Sequence, residues 1–472
     1  MPLILGTNSI KDTGYEVANS LRFDGASNDY LNRSFSSGTG TTFTVSAWIK
    51  RSNLNQSVVL LSSGANSSND LDEILIQTDG TFRAFSYTSG YTFHLTSNAL
   101  FRDVSAWYHF MFVYDSTNST SGDRARMYVN GSEITSFSAE VQPSQSTVSN
   151  YFNKNREHYI SGNLGSTDTG THYIAEYCFI DGQALDPTSF GEFDSDTNIW
   201  KPIDVSGLTF GTNGFHLDFE DSSALGNDVS GNNNDFTVNN LTSESQTTDT
   251  CTNNFATINP LDNFFAQATL SEGNTKVVTD SSAEAMSTST FAMTKGKWYM
   301  EADFISGAGA RMCGITPTVS FQTSSHGKAG DVTPHTVTYI GGGSVQEGNG
   351  SGGQTLLASY ASYSTGDIIG IYMDLDNMKA YLSKNGTLQS STGIDLEPLA
   401  SNGTGHYMFF VGDNNSGSLT CEANFGNGFQ SLSSAVTDDN GYGAFEYSPN
   451  ITGDGESKSF YSCCTKNLAE FG

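Results

Sequence analysis

Apolar and polar residues alternate at period two in one short segment after another, and this pattern limits the possible folds more than any other feature. In residues 43–49, Phe43, Val45, Ala47 and Ile49 fall on one face of an extended backbone. Residues 107–114, 126–129, 173–180, 297–305, 368–374 and 406–411 follow the same rule, each bounded by Gly, Asn, Asp or Ser clusters. Helical periodicity is nearly absent. One short helix is expected over residues 186–193, with Asp186 as cap and Pro187 in the first turn. Short alternating strands separated by turn residues indicate an all-β chain built of β-sandwiches of jelly-roll type.

Two hairpins divide the pattern. Asn130-Gly131 and Asn385-Gly386 each join a strand to its return partner. Asn-Gly supplies two consecutive positive-φ positions, as the tight turn between twisted strands requires. The hairpins lie about 250 residues apart, and each follows an aromatic-rich strand ending in Asp, so the expectation is two sandwiches in tandem. Residues 204–254 are dense in Asn, Asp, Ser and Thr. The expected division is therefore a first sandwich over 1–203, a long ordered polar connection with a few closing strands over 204–254, and a second sandwich over 255–472 with a packed C-terminal segment.

Composition removes several functions. Lys and Arg total 21 against 50 Asp and Glu, a net charge of −29, which repels nucleic-acid phosphates and anionic lipid. No apolar run approaches the ~20 residues of a membrane span, so neither nucleic-acid binding nor membrane insertion is expected. The 31 Phe and 21 Tyr argue against disorder. The opening Met-Pro-Leu-Ile-Leu-Gly is too short and uncharged for a signal peptide. The six cysteines lack zinc-site spacing and read as thiols of a reducing cytosol, with a bridge from Cys421 to Cys463 or Cys464 left open.

Residues 21–31, 43–50, Trp107-Tyr-His109, residues 126–131 and Ile174-Ala-Glu176 follow one another in the order found in LamG/pentraxin-like domains. This stretch resembles the concanavalin A-like lectin/glucanase superfamily. Residues 296–301, 313–315, 366–374 and 381–386 resemble a SPRY domain, with a less aromatic run before the Asn-Gly turn than is usual. The domain pair, the linking residues 253–260 and the closing 464–468 are similar to large surface proteins of tailed, marine-type phages. That resemblance implies a virion protein made in the host cytoplasm, of tail-fibre or receptor-binding type. Its implied partners are other virion proteins, further copies of itself in a homo-oligomer (a trimer favoured), and a host cell-surface glycan or protein. A capsid decoration or head-fibre role is the architectural alternative. A carbohydrate-active enzyme is the third reading.

No catalytic residues are assigned. A retaining glucanase needs two carboxylates ~5–5.5 Å apart, and the nearest strings are 70–73, 218–221 and 301–303. Alternation would set Asp218 and Glu220 on one strand face. His109, in an aromatic strand, reads as a hydrogen-bonded core residue. The Gly-rich runs 341–343 and 348–353 read as loops, since no Gly-Lys-Ser/Thr follows. Calcium is the one cofactor suggested: Asp228, Asn232, Asn234 and Asp235 form an oxygen-rich loop around Gly231, with a plain Asx turn as the competing reading. Candidate binding loops carry Tyr87, Tyr91, Phe93 and His94 in the first sandwich and Tyr360 and Tyr363 in the second. Tyr beside Ser and Gly makes low-entropy contacts and stacks on sugar faces.

Overall fold

A computed structural model describes residues 9–66, 70–164, 169–265, 267–280, 284–308, 310–317, 336–348, 354–396, 405–415, 417–428 and 431–472. Residues 349–353 of the second Gly-rich run, the first eight residues, His326 and His335 lie outside the described residues. The fold is all-β, and the alternating segments are strands. The chain forms two compact units, Asp12–Asn253 and Asn254–Gly472, the latter joined by the residues up to Lys11.

The first unit is a sandwich of two eight-stranded sheets. One runs in the order Ser132–Glu133, Ala125–Val129, Trp107–Asp115, Thr42–Arg51, His172–Asp181, Ser20–Phe23, Gln246–Thr247, with Phe215–Leu217 paired to His172–Asp181. The other runs Phe137–Val141, Tyr91–Leu100, Thr81–Thr88, Asp70–Ile76, Val58–Asn66, Glu157–Ile160, Tyr30–Ser34, Thr237–Asn239. Their facing sides bury Phe43, Val45, Ala47 and Ile49 in one core with Ile74, Phe82, Phe93 and Leu95 of the other sheet. The Asn130-Gly131 turn forms as expected, with φ of 48° and 75°.

Residues 204–253 carry the expected closing strands, but they belong to the first unit and not to a connection between units. They supply the strands Phe215–Leu217, Thr237–Asn239 and Gln246–Thr247. Phe215, Leu217, Phe219, Leu225, Phe236 and Leu241 enter the core. Asp249 is fully buried and pairs with the equally buried Lys50 at 2.7 Å, while Trp107 donates to its other oxygen at 3.0 Å. The Asn- and Asp-rich composition concealed this, because the apolar residues are widely spaced between turns.

The outer face of the first of these sheets is roofed. Trp48, Trp107, Tyr173 and Ala175 pack with Val17 and Trp200. Met111, Val113, Cys178 and Ile180 pack with Phe190, Val205 and Phe210. The expected helix over 186–193 is a single 3-10 turn, Pro187–Ser189, followed by the strand Gly191–Phe193 paired with Trp200–Pro202. The hairpin lays Trp200 on the sheet, where its indole donates to His109 Nδ1 at 3.1 Å. Ser46 bonds the other ring nitrogen at 2.8 Å, and burial lowers the His109 pKa to about 3, so this histidine is neutral and structural.

The second unit is also a sandwich. One sheet runs Ile258–Phe265, Ala285–Ser289, Tyr407–Asp413, Arg311–Pro317, Val337–Ile340, Ser344–Gly348, Gln354–Ser359. The other runs Thr269–Ser271, Lys276–Val278, Leu419–Asn424, Lys297–Gly307, Ile368–Asp374, Lys379–Lys384, Thr387–Leu388. The C-terminal segment covers the outer face of the latter, setting Phe445 and Phe460 on Tyr299, Tyr372 and Tyr381. None of the six cysteines is in a disulfide.

Candidate functional site

The second eight-stranded sheet of the first sandwich carries a further aromatic-rich set of side chains on the face turned away from the core. Alternation assigns the sides. Leu31, Ile74, Phe82, Ala84, Phe93, Leu95 and Ile160 point into the core. Their neighbours Tyr30, Glu73, Arg83, Phe85, Tyr87, His94 and Tyr159 therefore lie on the outer face. Val59, Leu71, Leu75 and Phe85 form a buried apolar cluster there, with Tyr87 against it.

One polar-aromatic cluster stands beside these residues. Strands Thr81–Thr88 and Tyr91–Leu100 are joined through Ser89 and Gly90, with Ser89 at φ 57°. The bulge between Ser86 and Tyr87 brings Tyr87 opposite Tyr91. Their rings meet edge-on with centroids 4.9 Å apart. Tyr91, 42% exposed, stacks on His94 at 4.3 Å. The Arg83 guanidinium lies 4.2 Å from the Phe85 ring centre and donates to Tyr91 Oη at 3.1 Å and to His94 Nε2 at 3.2 Å. Burial and then the Arg83 charge lower the His94 pKa, keeping the imidazole neutral at pH 7. The result is a cation on an aromatic ledge in a strongly acidic chain.

A second cluster lies across the sheet. Tyr30 and Tyr159 meet with centroids 6.1 Å apart. Glu157 accepts from Tyr159 at 2.7 Å and from the Asn32 amide, and Asn239 donates to Asn32 Oδ1 at 2.7 Å. Four strand steps separate the two clusters, about 19 Å at ~4.8 Å per strand. Aromatic faces beside planar amides, a carboxylate and a guanidinium suit a ligand that has both C–H faces and hydroxyls.

The structure gathers Tyr87, Tyr91 and His94 but turns Phe93 the opposite way. Phe93 is fully buried against Phe112 and Tyr114 and is a core residue. Tyr363 is likewise a core residue: its hydroxyl donates to the Tyr339 carbonyl at 2.7 Å. Tyr360 is half-buried against the same core. Tyr363 is therefore not a binding-loop residue, while Tyr360 keeps part of its surface exposed and meets Tyr339 edge-on. Arg83, Phe85, Tyr30, Asn32, Glu157 and Tyr159 were missed from sequence. Aromatics at both parities of residues 82–87 were the available signal that two faces are occupied.

The loop Asp228–Asp235 folds on itself. Asp228 accepts from the amides of His216, Ser230 and Asn234 and from the Ser230 hydroxyl, all within 2.8–2.9 Å. Asp235 accepts from the Asp228 amide at 2.9 Å. The amide groups of Asn232 and Asn234 cap the carbonyls of Gly211, Thr212 and Gly214. Arg33 donates to Asn234 Oδ1 and to the Asp235 carbonyl. These residues do not fit calcium: the oxygens are spent on N–H donors, and a guanidinium already stands where a cation would bind. Among the described residues no group of three or more His, Cys, Asp or Glu is placed to hold a metal.

The carboxylate strings are separated too. Asp218 and Glu220 fall beyond the strand Phe215–Leu217, where Phe219 takes φ 60° and the Asp218 carboxylate caps the Glu220 amide. They do not share a strand face. Asp72 is buried and holds the amides of Tyr151 and Phe152, whereas Glu73 faces the other side. Glu301 accepts from the amides of Glu446 and Tyr447 at 2.9 and 2.8 Å, which anchors the C-terminal segment.

Residues 24–167 match the Laminin_G_3 family model of the concanavalin A-like lectin/glucanases superfamily. The first unit carries a lectin-like β-sandwich domain. Solved structures similar to the chain include the SPRY domain of human HERC1, at 13% identity and TM-score 0.28, covering 35% of this chain and 96% of that one. Domains LG4-5 of the mouse laminin alpha1 chain align at 13% identity and TM-score 0.29, covering 84% of this chain and 83% of that one. Domain 4 of AbnA, a GH43 extracellular arabinanase from Geobacillus stearothermophilus, aligns at 19% identity and TM-score 0.25, covering 36% and 69%. Among curated proteins, none matches the sequence.

Proposed function

We propose that this chain is a non-enzymatic glycan-recognition protein of a virion surface, of tail-fibre or receptor-binding type. The observation that carries the reading is the outer sheet face of the lectin-like sandwich. There Tyr87, Tyr91, His94 and Arg83 form an aromatic and cationic ledge, with a second aromatic-polar cluster about 19 Å away. Aromatic faces take the C–H side of a sugar ring, and the guanidinium, amides and carboxylate take its hydroxyls. The sequence resemblance to tailed-phage surface proteins supports the virion placement. It also supports assembly as a homo-oligomer, a trimer, in which several weak sites act together by avidity. No metal takes part in this recognition.

The test is binding of the full chain to an array of bacterial surface polysaccharides and defined oligosaccharides. Binding is expected, weakened about tenfold or more by Arg83→Gln with Tyr91→Ala, with thermal unfolding nearly unchanged. Absence of binding, or binding indifferent to both substitutions, overturns the glycan reading. Shortening of a polysaccharide that is lost in Asp218→Asn with Glu220→Gln overturns the non-enzymatic one. Immunogold labelling on capsids and not on tails would favour the decoration role.

A further inference from the structure

The second sandwich carries a cleft that lies outside the open face of the first. It has a volume of about 330 Å³ and is lined by the start of strand Lys297–Gly307, the turn at Asp376 and Asn377, the strand Glu456–Ser459, Tyr461 and Phe471. That size is at the small end of ligand pockets, ~300–1,000 Å³, with room for one or two sugar rings.

The chemistry of its walls is mixed and unevenly satisfied. Lys297 is held by Asp376 at 2.7 Å, a full charge-assisted hydrogen bond. Lys458 is not. Its side chain is only 6% exposed, yet its ammonium stands 3.4 Å from Asp374 and 4.0 Å from Glu456, both longer than the ~2.7–2.9 Å of a tight ionic bond. Asp374 already takes the Asn377 side chain at 2.9 Å and the Asn377 amide at 3.0 Å. A buried ammonium with three donors, two long ionic contacts and the Tyr381 ring 5.9 Å away leaves hydrogen-bonding capacity for a further acceptor. Glu456 is an open acceptor on the rim with its side chain 79% exposed, and Asp376, 45% exposed, keeps lone pairs beyond those that take Lys297 and the Gly296 amide. Tyr461 stacks on Phe471 at 4.0 Å, which makes a flat apolar wall.

We propose that this cleft binds a neutral polyhydroxylated ligand, a sugar ring, as a second carbohydrate site independent of the open face of the first sandwich. The charge count selects the class. In the lining Lys297 and Lys458 are balanced by Asp376 and Glu456, with the fully buried Asp374 behind Lys458, so the walls hold no net positive charge to draw an acidic sugar. Hydroxyls satisfy both signs: they accept from Lys458 and donate to Asp376 and Glu456. The stacked aromatic pair takes the C–H face.

The test uses the full chain with Arg83→Gln and Tyr91→Ala in place, which weakens the open-face site, and compares it with the same chain carrying Ser457→Trp as well. Saturation-transfer NMR is run with glucose, galactose, mannose, xylose and glucuronate as probes. Transfer to at least one neutral sugar is expected to persist, with none to glucuronate. Ser457→Trp, which fills the cleft from an exposed strand position, is expected to reduce it about tenfold, as is Lys458→Met. No transfer to any neutral sugar, equal transfer to glucuronate, or transfer indifferent to Ser457→Trp overturns the proposal. Should Lys458→Met fail to fold, Ser457→Trp decides alone. Because Ser457→Trp alters only the second sandwich, the transfer it removes reports the cleft alone, so failure here leaves the open-face reading standing, and the reverse also holds.

Discussion

In the first sandwich, residues 184–210 lay Phe190, Trp200, Val205 and Phe210 over one sheet. In the second, residues 431–460 lay Phe445 and Phe460 over another. Each roof also sets an aromatic on the Asn-Gly turn below it. A Cβ added at Gly131 would stand 2.4 Å from the Trp200 ring, and one at Gly386 would stand 2.6 Å from the Tyr447 ring. Glycine at both turns thus answers to positive φ and to a close aromatic neighbour at once. The fastening differs. The first roof bonds its indole to a neutral histidine, whereas the second is anchored by a buried carboxylate. Glu301 takes two roof amides, and burial lifts its pKa to about 7 against four opposing hydrogen bonds. Two similar layered designs therefore acquire different responses to acid.

The largest expected effect breaks that pairing by pH. His109, His158 and His172 are buried in the first sandwich, and burial lowers each to about 3. The unfolded chain binds their protons below about pH 6.5 and the folded one does not, so stability falls as pH drops from there toward 3, by ~1.4 kcal/mol per pH unit per histidine. His216 works in the opposite sense: burial disfavours its charge, but the bond to Glu176 at 3.0 Å wins and raises it. Glu301 favours the second sandwich as pH falls from about 7 to 4.5, by on the order of 3 kcal/mol. From pH 7 to pH 5 the first sandwich should lose several kcal/mol while Glu301 stabilises the second. Hydrogen–deuterium exchange mass spectrometry, which follows each unit by its own peptides, measures both. Glu301→Gln should abolish the gain in the second. Parallel losses in both units would refute the contrast.

Removing the aromatics sharpens it further. Trp200→Ala should cost the first sandwich ~3–5 kcal/mol, the range for a large buried aromatic. Tyr447→Ala, at a half-buried position, should cost the second nearer ~1–2 kcal/mol. Urea unfolding followed by peptide-resolved exchange separates the two, and equal costs would mean that the roofs contribute alike. The smallest expected effect is that of calcium. Millimolar calcium or a chelator should leave the first unit's melting temperature unchanged, because Arg33 and the backbone amides already occupy the Asp228–Asp235 loop. A stabilisation of several degrees would show that the loop rearranges to take the ion.

Much of the strand pattern was legible. Residues 43–49 alternate, residues 107–114 and 368–374 are aromatic-rich apolar runs, and each is a strand buried as such a pattern implies. Residues 186–193 misled, because an Asp-Pro start signals a turn as readily as a helix and Phe190 and Trp200 needed the sheet beneath them. The division at 204–254 misled for a related reason. Lys50 and Asp249 are about 200 residues apart, and no local pattern announces a buried ion pair. Of the candidate site, Tyr87, Tyr91 and His94 were visible as an aromatic turn, but Arg83 and the Tyr30–Tyr159 cluster were not.

Period-two alternation and two Asn-Gly turns, read without coordinates, determine that this polypeptide forms twisted antiparallel sheets with one apolar side per strand. They leave open what covers the other side, since a strand with aromatics at both parities, such as residues 82–87, looks the same roofed or bare. Only the tertiary structure decided that one sheet lies under Trp200 while its partner displays Arg83 and Tyr91. The physical reason is that covering a face depends on residues tens of positions away, whose burial is set by packing and not by local chemistry.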